Sequence, residues 1–417
     1  MNILIPHTWL LEHLETDATP EQIQKFVSLS GPSIERIYER EGEPVYDIEV
    51  TTNRVDSMCV RGIARECAVI LTQSGLKSSL KNKYPTLDTG YIQNNSSTLP
   101  LPTITNTVPD LCHRTLGIIL TNVQQTPTPD WMAKRLRQTD QNVHNSIIDI
   151  TNYVTHELGH PCHAFDYDKI MNLGGEIIIK IADKDKKFTT LDGIEYETVG
   201  GEIVFENPQG QIIDLPAIMG TLNTSVDNNT KNVLLWIESI ESTKIRFASM
   251  THGIRTVAAQ LNEKNVDPNL ALPTLEFAIK LYQDLCRAQI SSSLHDEFPN
   301  SPVMNSVKVS HSKITTYLGI DLPSDQIIQI LTTLDCSITF SDNVYHVTPP
   351  TFRPDIEQDV DVIEEISRIY GYHNLPSILM PGVIPTNKPT HTNFQLESKI
   401  KNYLSASGWQ EVYTYSL

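Results

Sequence analysis

The chain has 417 residues, room for two to four domains. Hydrophobic residues make up 39% and charged residues 20%, an ordinary composition for folded cores that excludes a disordered chain. The net charge is 32 − 50 = −18, which excludes a surface built all over to grip nucleic acid and leaves room only for a local basic patch.

The N-terminal Met1-Asn2-Ile3-Leu4-Ile5-Pro6 has no basic segment ahead of an apolar run, and no stretch of about 18 apolar residues occurs, so no membrane span is expected. Trp9, Leu10, Leu11 and Leu14 predict a short amphipathic helix. Thr19-Pro20-Glu21-Gln22 is a helix start with Thr19 as N-cap and Gln22 as its reciprocal partner, and Gly31 is expected to stop that helix. Tyr46 to Thr51 alternates like a strand, and a helix follows from Val60 to Leu71. Residues 77–104, rich in Lys, Asn, Ser, Thr and Pro, are expected to be a linker. Strands are predicted at Glu176–Ile181, Phe188–Leu191 and Ile203–Phe205. A helix is expected near Phe394, and Glu411 to Leu417 reads as a strand cut short, as in a fragment. Six scattered cysteines (Cys59, Cys67, Cys112, Cys162, Cys286, Cys336) form no disulfide framework and fit a reduced, cytoplasmic setting.

The pattern implies an α+β, multidomain chain. Two similar small α+β modules, 1–76 and 302–376, flank a larger mixed α/β central domain at 105–292, and 390–417 begins another domain. The modules read as an internal repeat. His7, Pro20, Tyr46 and Arg54-Val55-Asp56 recur in order as His311, Pro323, Tyr345 and Arg353-Pro354-Asp355. Asp56 precedes Glu66 by the spacing that separates Asp355 from Glu365.

Asp355, Asp361, Glu364 and Glu365 form the sharpest cluster. Helical spacing from Asp361 to Tyr370 puts Asp361 beside Glu364 and Glu365, with Asp355 approaching from the preceding loop. Converging carboxylates suit a hard cation such as Mg²⁺. Equally, acids are favoured in a first helical turn by the helix dipole, and chemistry alone leans to that plainer reading.

Arg353-Pro354-Asp355-Ile356, Asp361, Glu364-Glu365-Ile366 and Arg368-Ile369-Tyr370-Gly371-Tyr372 together resemble the late module of phenylalanine–tRNA ligase β subunits of the bacterial type. The segments Asp47 to Asp56, Arg61 to Glu66, Asp149 to Val154, Glu157 to Pro161, His163-Ala164-Phe165-Asp166, Asn262-Glu263-Lys264 and Val266-Asp267-Pro268 are similar to that family in the same order. The resemblance implies a non-catalytic β subunit of an aminoacyl-tRNA ligase that supports ATP-dependent attachment of phenylalanine to its tRNA. The chemistry would lie on an α subunit, in an assembly of two α with two β. It implies Mg²⁺ at the four carboxylates in a site completed by the α subunit. It also implies that 390–417 opens a catalytic-like domain cut short here. Many bacterial members insert an oligonucleotide-binding barrel into the first module; Gly31 to Tyr46 is too short to hold one.

In that family the central domain hydrolyses tyrosine misattached to phenylalanine tRNA, a correction needed because an apolar pocket rejects one extra hydroxyl only weakly. His163, Gly220, Thr256 and Ala258 fall on the matching pocket positions. The family's hydroxyl-reading glutamate follows a strand like Asn232-Val233-Leu234-Leu235; here Trp236 stands next, and an indole accepts no hydrogen bond. Glu238 shares that strand face and is a candidate to compensate, and Asn142 replaces a frequent arginine. Impaired tyrosine editing is therefore expected. The alternative function is a free-standing tRNA-binding or deacylase module without an α partner. Cys112-His113 and Cys162-His163 fit no usual zinc spacing, no phosphate-binding glycine loop occurs, and Lys184, Lys186 and Lys187 read as a solvated hairpin edge.

Overall fold

The computed structural model describes residues 2–81, 99–299, 301–379, 382 and 392–415. Residues 1–375 form one compact unit and 376–417 a second. In the second, Thr392–Ala406 is a helix and 411–415 carry no strand; the rest of the expected terminal strand lies outside the described residues. Most of the expected linker, 82–98, also lies outside them, but Ser78–Leu80 is a strand paired with Leu14–Thr16, and Thr103–Asn106 is a strand parallel to Glu176–Ile181.

The first module is a three-stranded antiparallel sheet with Glu43–Glu49 between Asn2–Pro6 and Ser33–Arg40. Thr19 caps helix Pro20–Ser30 with the reciprocal Gln22 bond, as its sequence dictates. Gly31 ends that helix for want of room. Its φ of −136° is open to any residue, but a Cβ there would lie 2.7 Å from Ile70 Cδ1. The stretch that would hold a barrel is instead the hairpin Ser33–Arg40 and Glu43–Glu49.

The late module repeats this order, with Val344–Thr348 between Val307–Ser310 and Ser337–Ser341. Helices His311–Leu318, Ser324–Thr333 and Asp359–Tyr370 stand where His7–His13, Pro20–Ser30 and Val60–Gln73 stand in the first. One half-buried hydrogen bond recurs: the Tyr46 hydroxyl meets His7 Nδ1 at 2.7 Å, and the Tyr345 hydroxyl meets His311 Nδ1 at 2.8 Å.

Between them the central domain stacks two sheets. Strand Val233–Ile240, buried along its whole length, lies between Cys112–Thr121 and His163–Asp166. Its two-residue period sends Val233, Leu235 and Ile237 into one core and Leu234, Trp236 and Ile240 into the other. The first core includes helices Ser146–Leu158 and Ala271–Cys286, tied where the Tyr282 hydroxyl donates to Ile147 O at 2.6 Å. The second faces the sheet of Met219–Gly220, Ile212–Leu215, Ile203–Glu206, Glu176–Ile181 and Thr103–Asn106. Trp236 fits because its cross-strand neighbour is Gly117, where a Cβ would sit 2.7 Å from the indole. Gly117→Ala is expected to lose about 1–3 kcal/mol in chemical denaturation through overpacking. Trp236→Leu on that background should recover part of the loss.

Candidate functional sites

Two places gather the residues singled out in the sequence. The first is a cleft of about 60 Å³ in the central domain, far below the ~300 Å³ of an ordinary small-molecule pocket. His163, Gly220 and Ala258 line it. Gly220 keeps it open, because a Cβ there would lie 2.9 Å from His163 Cε1. Burial lowers the His163 pKa to about 4, so the imidazole is neutral at physiological pH. Thr256 is outside the lining. It caps helix Val257–Asn262 by accepting the Ala259 N–H at 3.1 Å and donates to Ile218 O at 2.6 Å, so its hydroxyl is occupied by local structure.

Trp236 is also outside the lining. It lies fully buried, stacked on His295 at 5.7 Å and edge-on to Phe205 at 6.0 Å. Glu238, two residues along the strand, does reach the cleft, together with Asp214, which no motif in the sequence marks. Glu238 Oε1 accepts the Ala217 N–H at 2.6 Å. Burial pushes the Glu238 carboxyl up to about 7, against the pull of that N–H. Burial, and then the neighbouring Glu238, holds Asp214 well above the usual carboxylate range.

The second place is the seam between the two small modules. Arg54 donates to Asp56 at 2.9 Å and to Glu66 at 2.5 Å. In the late module Arg353 donates to Asp355 at 2.8 Å and to Glu365 at 2.8 Å. Arg368 joins the two sets, donating to Glu66 at 2.7 Å, to Glu365 at 2.5 Å and to Ser30 O at 3.3 Å. Beside it the Arg65 guanidinium covers the Phe352 ring at 3.7 Å. Burial opposes the charge on Glu66 and Glu365, but the arginines outweigh it. Glu66 is held far below its usual range, and Glu365 is lowered to about 2.

Of the four carboxylates singled out in the sequence, Asp355, Glu364 and Glu365 line one cleft beside this seam, and Asp361 stands outside it. Asp355 and Glu365 spend their oxygens on Arg353 and Arg368. Asp361 accepts the backbone N–H groups of Glu357 and Gln358 at 3.0 and 2.7 Å, capping its own helix. Glu364 faces outward. Among the described residues no three His, Cys, Asp or Glu side chains are placed to hold a metal ion, so these four do not fit a Mg²⁺ centre as they stand. The helix-terminus reading holds for Asp361.

A B3/4 domain matches residues 111–287, and a tRNA synthetase B5 domain matches residues 307–372. A phenylalanine–tRNA ligase β subunit from Carboxydothermus hydrogenoformans is 34% identical over 386 residues, covering 93% of this chain and 46% of the relative. This chain is related to the phenylalanine–tRNA ligase β subunits. One from Clostridium tetani is 32% identical over 372 residues, covering 89% of the chain and 45% of the relative. The chain thus spans about half the length of the curated β subunits it matches. An N-terminal fragment of the phenylalanyl-tRNA synthetase β subunit from Pyrococcus horikoshii superposes with a TM-score of 0.47 at 14% identity, covering 89% of this chain and 99% of that one. That likeness is too distant to carry weight beside the domain matches and the β-subunit relatives. All six cysteines are free, and no described helix is long and apolar enough to cross a membrane.

Arg368→Met should cost roughly 3–5 kcal/mol in chemical denaturation, because it strips a shared partner from two buried carboxylates. The sign of the pH effect follows from the lowered Glu66 and Glu365. Their stabilisation is complete above the unfolded value of 4.5 and is lost as pH falls through the folded values, about 2 for Glu365. Acid titration of the wild type should therefore show a loss of stability below pH 4.5 that Arg368→Met reduces.

Proposed function

We propose that the chain works as part of the β subunit of a cytoplasmic phenylalanine–tRNA ligase. It would scaffold an α subunit, as two α with two β, in the ATP-dependent attachment of phenylalanine to its tRNA. The observation that carries this reading is the similarity to named β subunits along 93% of the chain, with the B3/4 and B5 domains in place. ATP and Mg²⁺ belong, in this reading, to the reaction on the α subunit. Asp355 and Glu365 act by holding the seam, and Asp361 by capping its helix, rather than by binding the metal.

The cleft of the central domain is read as the place where an aminoacyl ester is opened by water. His163 is neutral there and can accept a proton from a water at its ring nitrogen. Gly220 and Ala258 leave space for the ester. Tyrosine removal is proposed to be weak, since a cleft of about 60 Å³ is small for a phenol and Trp236 supplies no acceptor.

Two measurements test this. Co-expression with a phenylalanine–tRNA ligase α subunit should give a stable heteromer that charges tRNA with phenylalanine; a chain that stays alone and charges nothing overturns the reading. In that heteromer the double variant Asp361→Asn/Glu364→Gln should leave the Mg²⁺ concentration for half-maximal charging within about twofold of wild type, since exposed or capping acids cost little when made neutral. A tenfold rise would restore the metal role.

A further inference from the structure

The floor of the cleft holds more acid than ester hydrolysis requires. Asp214, from strand Ile212–Leu215, is 3% exposed, and its Oδ1 has no hydrogen-bond partner although it lines the cleft. Such an orphan is costly in a folded protein and calls for an explanation. Glu238, 8% exposed, lines the same wall from strand Val233–Ile240. Its carboxyl is fixed by the N–H of Ala217, a residue with φ of +61°, in the left-handed region that alanine rarely adopts. Asn262 Nδ2 holds the Ala217 carbonyl from the other side at 3.5 Å. Strain kept in place by two side chains at a cleft marks a built site.

We propose that Asp214 and Glu238 together form the seat of a primary ammonium group, the free amino group of the aminoacyl ester that enters this cleft. The inference deepens the hydrolytic reading of the cleft and rests on it. Its test uses neither tRNA nor an α subunit, so either reading can fail alone.

The chemistry selects an ammonium over a neutral donor. No lysine or arginine lines the cleft, so nothing within it neutralises the acids. The titratable groups that face them are Cys162 and His163 beside Glu238, Cys112 on the next strand, and Glu297 across Thr115 from Glu238. Burial keeps both thiols protonated and the imidazole neutral. Burial also raises both acids, Asp214 well above its range and Glu238 to about 7, so the empty pair keeps at least one proton near neutrality. A bound cation would favour the ionised form and release a proton, whereas a hydroxyl would not. The small volume suits a head group rather than a whole aminoacyl side chain.

The experiment is calorimetric titration of the whole chain with L-alaninamide and with L-lactamide, its neutral isostere carrying a hydroxyl in place of the amine. Alaninamide should bind at least about tenfold more tightly than lactamide, a one-charge difference of the size a pKa unit represents. Its affinity should rise up to about tenfold from pH 6 to pH 7, with proton release to buffer. Asp214→Asn and Glu238→Gln should each abolish the preference, and Gly220→Ala, which leaves both acids in place, should block binding by filling the cleft. Thermal melting checks that each variant folds, and the pH series on the wild type stands if one does not. Equal binding of the two ligands, no binding of alaninamide at millimolar concentration, or a preference that survives both acid variants overturns the proposal.

Discussion

The modules at the two ends of the compact unit meet through charge. Arg54, Arg353 and Arg368 face Asp56, Glu66, Asp355 and Glu365, the side chains of all but Asp355 less than one-tenth exposed, and Arg368 is the link that touches carboxylates of both modules. Three cations against four anions leave one excess negative charge; the Ser57 hydroxyl adds a hydrogen bond to Asp56 and the Asn53 amide one to Asp355. Ion pairs this deeply buried recover their desolvation only when every member keeps its partner. The arrangement therefore acts less as a source of stability than as a condition: the two modules can pack closely only in the register that completes it.

The duplication explains why the network is possible. From the central strand onward the repeat offset is constant: 353 − 54, 355 − 56, 365 − 66 and 345 − 46 all give 299, against 311 − 7 = 304 and 323 − 20 = 303 before it. Each copy thus brings an arginine, an aspartate and a glutamate in the same geometry. The copies differ where they meet, because Arg368 falls opposite Val69 (368 − 299). Helix Asp359–Tyr370 gives up an apolar residue there and supplies the one cation able to reach across. A symmetric pair of modules would have left Glu66 and Glu365 facing each other.

The repeat, the capped helix at Thr19, the helices from Val60 and before Tyr370, and the strands at Glu176 and Ile203 were legible from spacing and local chemistry. What lay beyond reach involved partners far apart in sequence. Nothing near Arg368 announces Glu66, 302 residues away, and nothing near Gly117 announces the indole that needs its space. The same limit shaped the sites. The four acids singled out between 355 and 365 read as ligands or as helix-terminus groups, and only partners distant in sequence, the arginines facing two of them, show what those two do. In the cleft, His163, Gly220 and Ala258 come together as the family resemblance implied, and Glu238 reaches it by the strand period. Thr256 stands behind the wall, and Asp214 arrives from a strand with no motif of its own.

Seam and cleft have opposite electrostatics. At the seam, arginines hold carboxylates ionised; in the cleft, burial without cations raises the carboxyls above their usual range. One is a settled structural joint, and the other retains unspent hydrogen-bonding capacity. The most direct test of the joint is a double-mutant cycle between Glu66 and Arg368, using Glu66→Gln and Arg368→Met in chemical denaturation. A coupling energy of about 1.5–3 kcal/mol, in the range of directly contacting residues, is predicted. Additivity within about 0.5 kcal/mol, as for independent sites, would contradict the account.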